Sequence, residues 1–288
     1  MDACELMIAR ICGALGDLTM RAIVTGASRG IGGATCMKLA RDSIARGEPA
    51  KFVACATGMR PDLHELVGEL NALGAEAIAL TGDLADPEVP ARLIAETQAF
   101  CGGLDAVVSN AGYSSAGALA ELSLADWERV FATNLRPTWL LAKAAYEPLK
   151  ASRGALVAVG SFAGVLPRAG GGAYAAAKAA LIVLCQQLAQ EWAPDGIRVN
   201  VVSPGMIHTP LSASIYADPV MARRRADLIP LRRVGTPDDV ANTIAFLVGR
   251  DSAYVTGQNI IVDGGFAASI LSHIPGVPGA TKSTTSTG

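Results

Sequence analysis

Short, continuously apolar runs alternate with longer helix-like stretches through most of this chain, and that alternation limits the fold more than any other feature of its 288 residues. The runs are "RAIVTG", "AKFVACAT", "AEAIALTGD", "LDAVVSNAG", "GALVAVGS", "IRVNVVSPG" and "QNIIVDGG". They lack the every-second-residue pattern of a strand with one wet face. Parallel strands read this way when helices cover both sides of their sheet. Helices are predicted over 30–46, 61–73, 87–100 and 173–192 and near 237–248. The succession predicts an α/β fold, a single doubly wound Rossmann-type domain of about seven parallel strands with helices on both faces.

No linker-like shift in composition interrupts residues 20–266, which therefore read as one domain between an N-terminal extension (1–19) and a C-terminal tail (267–288). With 51% hydrophobic and 17% charged residues, the chain can bury a large core. Twenty-four basic against 26 acidic residues leave a net charge of -2, so no basic surplus points to nucleic acid or to an anionic membrane surface. In the first nineteen residues Glu5 and Arg10 break the apolar run and no small-residue cleavage pattern follows. That argues against a signal peptide, and the run is too short to span a bilayer. It suits an added amphipathic helix, or a start placed too early, since Met20 directly precedes the first strand. The tail, rich in Pro and Gly and then in Ser and Thr, reads as frayed. Six cysteines without a CxxC pair read as reduced thiols of a cytoplasmic protein, and three scattered histidines form no metal cluster.

"TGASRGIGGAT" follows the first strand and opens the first helix, with Gly26, Gly30 and Gly32 in T-G-x-x-x-G-x-G spacing. Glycines there could serve only a tight turn. Placed between the first strand and first helix of an alternating chain, they favour a nucleotide whose pyrophosphate approaches the backbone N–H groups and the positive end of the helix. Loop residues Ser28, Arg29 and Ile31 belong to the same cradle. A fold that selects NAD usually carries an acid at the end of the second strand, for the ribose 2′-OH. Here Ala56 and Thr57 stand at that place, Arg29 lies within the glycine loop and Arg60 just beyond the strand. A cation there can pair with a 2′-phosphate, which favours NADP over NAD; two solvated surface arginines are the plainer alternative.

"SFAGVLPRAGGGAYAAAK" holds the other informative spacing. Tyr174 and Lys178, at i and i+4, share a helical face. An ammonium near a phenol favours phenolate and so brings its proton exchange toward neutral pH. Ser161 ends a strand, and the carboxyl ends of parallel strands line the ligand crevice, so its hydroxyl could reach the same substrate oxygen.

Together these pieces resemble the short-chain dehydrogenase/reductase family: "TGASRGIG", "GDL" at 82–84, "NAG" at 110–112, Asn134 in "ATNL", Ser161, "YAAAK" and "SPGMIHT" at 203–209, in family order over roughly residues 20–266. The resemblance implies that Tyr174 is the general acid/base, that Lys178 lowers its pKa and holds the nicotinamide ribose, and that Ser161 polarises the substrate oxygen. It implies a proton relay ordered by Asn134, adenine contacts from Asp83 and Leu84 in "GDL", and a cleft wall from Asn110. It further implies carboxamide contacts from Ile207 and Thr209 after the Pro204–Gly205 turn. Plainer roles stand beside these: Asp83 capping a turn, Asn134 satisfying helix backbone, Thr209 capping the segment before Pro210.

The wording is nearest to 3-oxoacyl-carrier-protein reductases and related NADP-linked ketone reductases. The expected activity is hydride transfer between NADP(H) and a secondary alcohol/ketone pair, with a small-molecule substrate that is carrier-bound in the sharper version. The alternatives are an NAD-linked secondary-alcohol or sugar dehydrogenase and a non-catalytic nucleotide-binding regulator of the same fold. "ARRRADLIPLRR" is locally basic, which suits a solvated helix face, or an acidic substrate or carrier-protein contact. The helix after Tyr174 is apolar nearly all round in its first half, which suggests an oligomer contact. The resemblance makes that oligomer a homotetramer or a dimer. Trp127, Trp139 and Trp192 read as packing residues.

Overall fold

Alternate residues of each central strand feed opposite cores. In β1 (Met20–Thr25), Ala22 and Val24 join one cluster while Ile23 joins the other; in β2 (Ala50–Ala56), Phe52 and Ala54 face Leu63 and Val240, while Val53 and Cys55 face Leu93 and Leu141. A computed structural model describes residues 18–210 and 212–274 of the chain. The predicted N-terminal amphipathic helix over 1–19 and the frayed end of the tail lie, all but residues 18–19, outside the described residues.

The remaining strands are β3 (Glu76–Thr81), β4 (Ala106–Ser109), β5 (Ala155–Val159), β6 (Arg198–Pro204) and β7 (Asn259–Val262). All pair in parallel, in the order β3-β2-β1-β4-β5-β6-β7. Val24 lies opposite Val108, and Val108 opposite Val157, so the middle of the sheet is a band of β-branched side chains. Helices α1 (Gly30–Ala45), α2 (Pro61–Ala72) and α3 (Val89–Cys101) alternate with the first strands. Two helices then lie within residues 113–153, for which the alternation pattern predicts no element: α4 (Leu124–Asn134) and α5 (Arg136–Ser152). α4 buries only Val130 and Asn134, too little for an apolar stripe, although Ser123 accepting a hydrogen bond from the Asp126 N–H is a readable N-cap. α5 buries Thr138, Leu141, Ala142, Ala145 and Leu149, a helical spacing blurred by its alanines.

α6 (Tyr174–Trp192) is the predicted long helix. Its buried stripe runs Lys178, Leu181, Ile182, Cys185, Leu188, Ala189 and Trp192, so a lysine occupies a core position. After β6 come α7 (Ala213–Tyr216) and α8 (Pro219–Leu228), neither of which buries a residue, and then α9 (Pro237–Val248), closed at its start by a Thr236–Asp239 capping box. Described cysteines Cys36, Cys55, Cys101 and Cys185 are free and buried. Burial pushes the thiols of Cys36, Cys55 and Cys185 up to about 12, so they stay protonated and inert. Among the described residues no helix is long and apolar enough to cross a membrane, and no cluster could hold a metal ion.

Candidate active site

The sheet reverses its winding between β1 and β4. At such a point the connections leave to opposite faces and a crevice opens at the carboxyl ends of the strands. A cleft of about 410 Å³ lies there. Gly26, Ser28, Arg29, Gly30 and Ile31 contribute from the loop after β1, and Asn110 from the end of β4. Ser161 follows β5, Tyr174 and Lys178 open α6, and Pro204, Gly205, Ile207 and Thr209 follow β6. The chain thus brings thirteen sequence-predicted residues to one cavity.

The glycine turn has the form of a phosphate cradle. Gly26 has φ +64, and a Cβ on it would sit 2.9 Å from Asn110 Nδ2 and from the Ala111 Cα. A Cβ on Gly32 would collide with the Gly26 carbonyl oxygen and lie 2.7 Å from Asn110 Nδ2, so Gly32 works beneath the turn rather than in the cleft. Asn110 stitches the turn to β4 by donating to the carbonyls of Thr25 (2.9 Å) and Gly26 (3.0 Å). The sixteen-residue helix α1 starts with no side-chain cap and no acid in its first turn. Its leading N–H groups and the positive end of its dipole are therefore left for an anion. Arg29, at the N-cap, is exposed, and no hydrogen bond or ion pair of its guanidinium is found among the described residues. These features fit a dinucleotide phosphate.

Beside this cradle Lys178 is 3% exposed, and its Nζ donates to the Val159 carbonyl at the end of β5 (2.8 Å). Burial pulls the ammonium down to about 8. The same Nζ stands 5.7 Å from the centre of the Tyr174 ring. The sequence leads one to expect the lysine to lower the phenol. In the structure the largest influence on Tyr174 is burial, which raises it, with a hydrogen bond from Ser161 opposing. The net displacement is upward, so the phenol holds its proton at neutral pH. Ser161 is 8% exposed, lines the cleft and caps the short 3-10 helix Phe162–Gly164, its hydroxyl accepting from the Ala163 N–H (3.2 Å).

Other predicted residues are not among those that line the cavity. Asn134 is buried, donating to the carbonyls of Tyr113 (2.7 Å) and Val130 (2.9 Å) and accepting from the Tyr113 N–H (3.2 Å). Its amide braces helix and loop backbone, and its Oδ1 lies behind the cleft-lining Gly112, 2.9 Å from where a Cβ on that glycine would stand, with Lys178 Nζ 3.7 Å from the same point. Asp83 is exposed and accepts from the Ala85 N–H (2.9 Å), closing a turn at the end of β3; Thr57 is exposed just past β2; the Leu84 side chain is packed in the core. Arg60 is exposed at the start of α2, outside the cavity. Sequence reasoning missed Tyr113, next to "NAG", and Ser212, whose hydroxyl accepts from the Thr209 N–H (3.0 Å) and donates to the Ile207 carbonyl (2.8 Å). A serine three residues after Thr209 was the available signal for that clamp. The Val159 carbonyl carries no side-chain signal at all.

A family model described as enoyl-(acyl carrier protein) reductase matches residues 26–267. The chain belongs to the short-chain dehydrogenase/reductase family. It is 37% identical over 246 residues to a 3-oxoacyl-[acyl-carrier-protein] reductase of Synechocystis, covering 85% of this chain and 95% of the relative. It is 34% identical over 247 residues to a glucose 1-dehydrogenase of Gluconobacter oxydans, covering 85% and 91%. A short-chain dehydrogenase of Burkholderia cenocepacia, solved in complex with NADP, superposes with a TM-score of 0.78 at 34% identity, covering 88% of this chain and 100% of the other. In this short-chain dehydrogenase/reductase the matched segment contains every element that lines the cleft.

Proposed function

We propose that this short-chain dehydrogenase/reductase reduces a ketone with NADPH, with 3-oxoacyl thioesters as its substrate class. The observation that carries the reading is the meeting of the half-buried Tyr174, whose phenol is largely desolvated, the Ser161 hydroxyl and the buried Lys178 ammonium in one cleft with the uncapped start of α1. The N–H groups of the glycine turn would hold the pyrophosphate, and Arg29 the 2′-phosphate. The bound dinucleotide supplies the hydride that goes to the carbonyl carbon. Ser161 donates a hydrogen bond to the carbonyl oxygen, and Tyr174, kept protonated by burial, delivers its proton there, so that C=O becomes CH–OH. Lys178, fixed by the Val159 carbonyl, offsets the charge left on the phenolate. Asn134 holds the backbone of Tyr113, which lines the same cleft as Tyr174.

NADP rather than NAD is supported by Arg29, whose guanidinium has no partner among the described residues, by Thr57 standing where an acid would select NAD, and by the NADP complex of the Burkholderia relative. The thioester class is supported by the Synechocystis relative. A second reading, an NAD(P)-linked sugar or secondary-alcohol dehydrogenase, is favoured by the Gluconobacter relative. The reading also assigns an apolar groove of about 1100 Å³ along α4, α5 and α6 to a second copy of the chain, which sedimentation in solution tests. Trp127, 38% exposed, and Trp139, 48% exposed, line it, so only Trp192 of the three tryptophans is a core packing residue.

The test is consumption of NADPH and of NADH against acetoacetyl thioesters, glucose and simple alcohols. Tyr174→Phe should lower kcat by about 10³ with the dinucleotide Kd unchanged, the scale of a lost general acid. Full turnover by Tyr174→Phe would remove the phenol from the chemistry. Turnover of glucose with no thioester reduction would favour the second reading.

A further inference from the structure

The segment between β6 and α9 leaves the sheet and returns to the point where it left. The Gly235 N–H donates to the Met206 carbonyl (3.0 Å) and the His208 N–H donates to the Gly235 carbonyl (2.8 Å), with Ile207 and Gly235 bridged in parallel. The two feet of the excursion are thus pinned together, and Ile207 and Thr209 on the first foot line the cleft. Beyond the Ser212 clamp, α7 and α8 have no buried residue to hold them in place. What reaches back is Tyr216, the last residue of α7. Its ring and the His208 imidazole pack edge-to-face, at 5.1 Å between centroids and 64°. The Arg225 guanidinium of α8 lies 5.5 Å from the same ring, with its Nη1 3.4 Å from the Tyr216 hydroxyl. His208 sits between Ile207 and Thr209, so the stack ends on the backbone that lines the cleft.

We infer that Tyr216 is a positioning residue that sets α7 and α8 in register with the cofactor-lining turn Ile207–Thr209, through its contacts with both His208 and Arg225. Its ring acts as the joint, because an aromatic pair and a cation over a ring gain energy only near these geometries. Tyr216 touches no reacting atom and acts through His208. The inference rests on the proposed reading only for the choice of probe.

The experiment uses the full chain with NADPH, followed by fluorescence titration, steady-state kinetics with an acetoacetyl thioester, and tryptic cleavage at Arg223–Arg225. Tyr216→Ala should raise the NADPH Kd and the thioester KM about tenfold while kcat changes less than about twofold, given the size of such ring contacts. Tyr216→Phe, which keeps the ring, should stay within about twofold of the parent. His208→Ala should reproduce the loss, and the double variant Tyr216→Ala/His208→Ala should be no worse than either single one. Cleavage at Arg223–Arg225 should quicken in Tyr216→Ala and not in Tyr216→Phe. Unchanged Kd and KM in Tyr216→Ala, equal loss in Tyr216→Phe, or additive losses in the double variant would each overturn the assignment. A parent chain that binds no NADPH sinks the cofactor reading instead; the cleavage rates and the double-variant comparison with NADH then still decide the role of Tyr216.

Discussion

Replacing Lys178 by methionine should make the protein more stable and nearly inactive. The lysine is 3% exposed on the core stripe of α6, and burial carries its ammonium from 10.5 to about 8. Holding the charged form in the folded state at pH 7 therefore costs roughly 3 kcal/mol. Methionine removes that cost at similar volume but leaves the Val159 carbonyl without its donor, a loss of about 1–2 kcal/mol. The net gain is about 1–2 kcal/mol, or roughly 4 °C in Tm for a domain of this size. The sign of the pH dependence follows from which state holds the proton. Between about 8 and 10.5 the unfolded chain keeps the lysine protonated while the folded chain has released it, so stability of the parent rises with pH across that window. The advantage of Lys178→Met should shrink from pH 7 to pH 9.5. Thermal and urea unfolding at the two pH values measure it, and groups that titrate in both proteins cancel in the difference. A variant less stable than the parent at pH 7, or a gap that does not close at pH 9.5, refutes the reasoning. Turnover of the variant should fall by at least about 10², as for loss of an electrostatic stabiliser.

Gly32→Ala pushes a methyl group into the Gly26 carbonyl and the Asn110 amide, so the turn must shift; the fold should lose about 1–3 kcal/mol, and NADPH affinity should fall with it, read by unfolding and by titration. Arg29→Ala should weaken NADPH about tenfold, the scale of a charge-assisted hydrogen bond, and leave NADH unchanged; equal loss for both cofactors would remove the 2′-phosphate role.

Much of this protein was legible in its sequence. Continuous apolar runs gave away strands buried on both faces, because such strands have no wet side to encode. The glycine turn and the Tyr174–Lys178 pair were readable because their spacing is local, one turn of chain or of helix, and Ser161 because it ends an apolar strand. Helices α4 and α5 were not, since α4 buries two residues and α5 packs largely through alanines, which leave a weak period. The sequence left Asn134 and Asp83 undecided between ligand and backbone; the hydrogen bond of Asp83 is local, to the Ala85 N–H, whereas the pairing of Asn134 with Tyr113, 21 residues apart, is one that only the folded chain brings about. Tertiary structure alone set the protonation of the central pair. The spacing of Tyr174 and Lys178 places an ammonium near a phenol, but the sign of the phenol's displacement depends on how much water the rest of the fold removes. Desolvation is a property of every element packed around the pair, from β5 to the loop after β6, and no local stretch of sequence contains it.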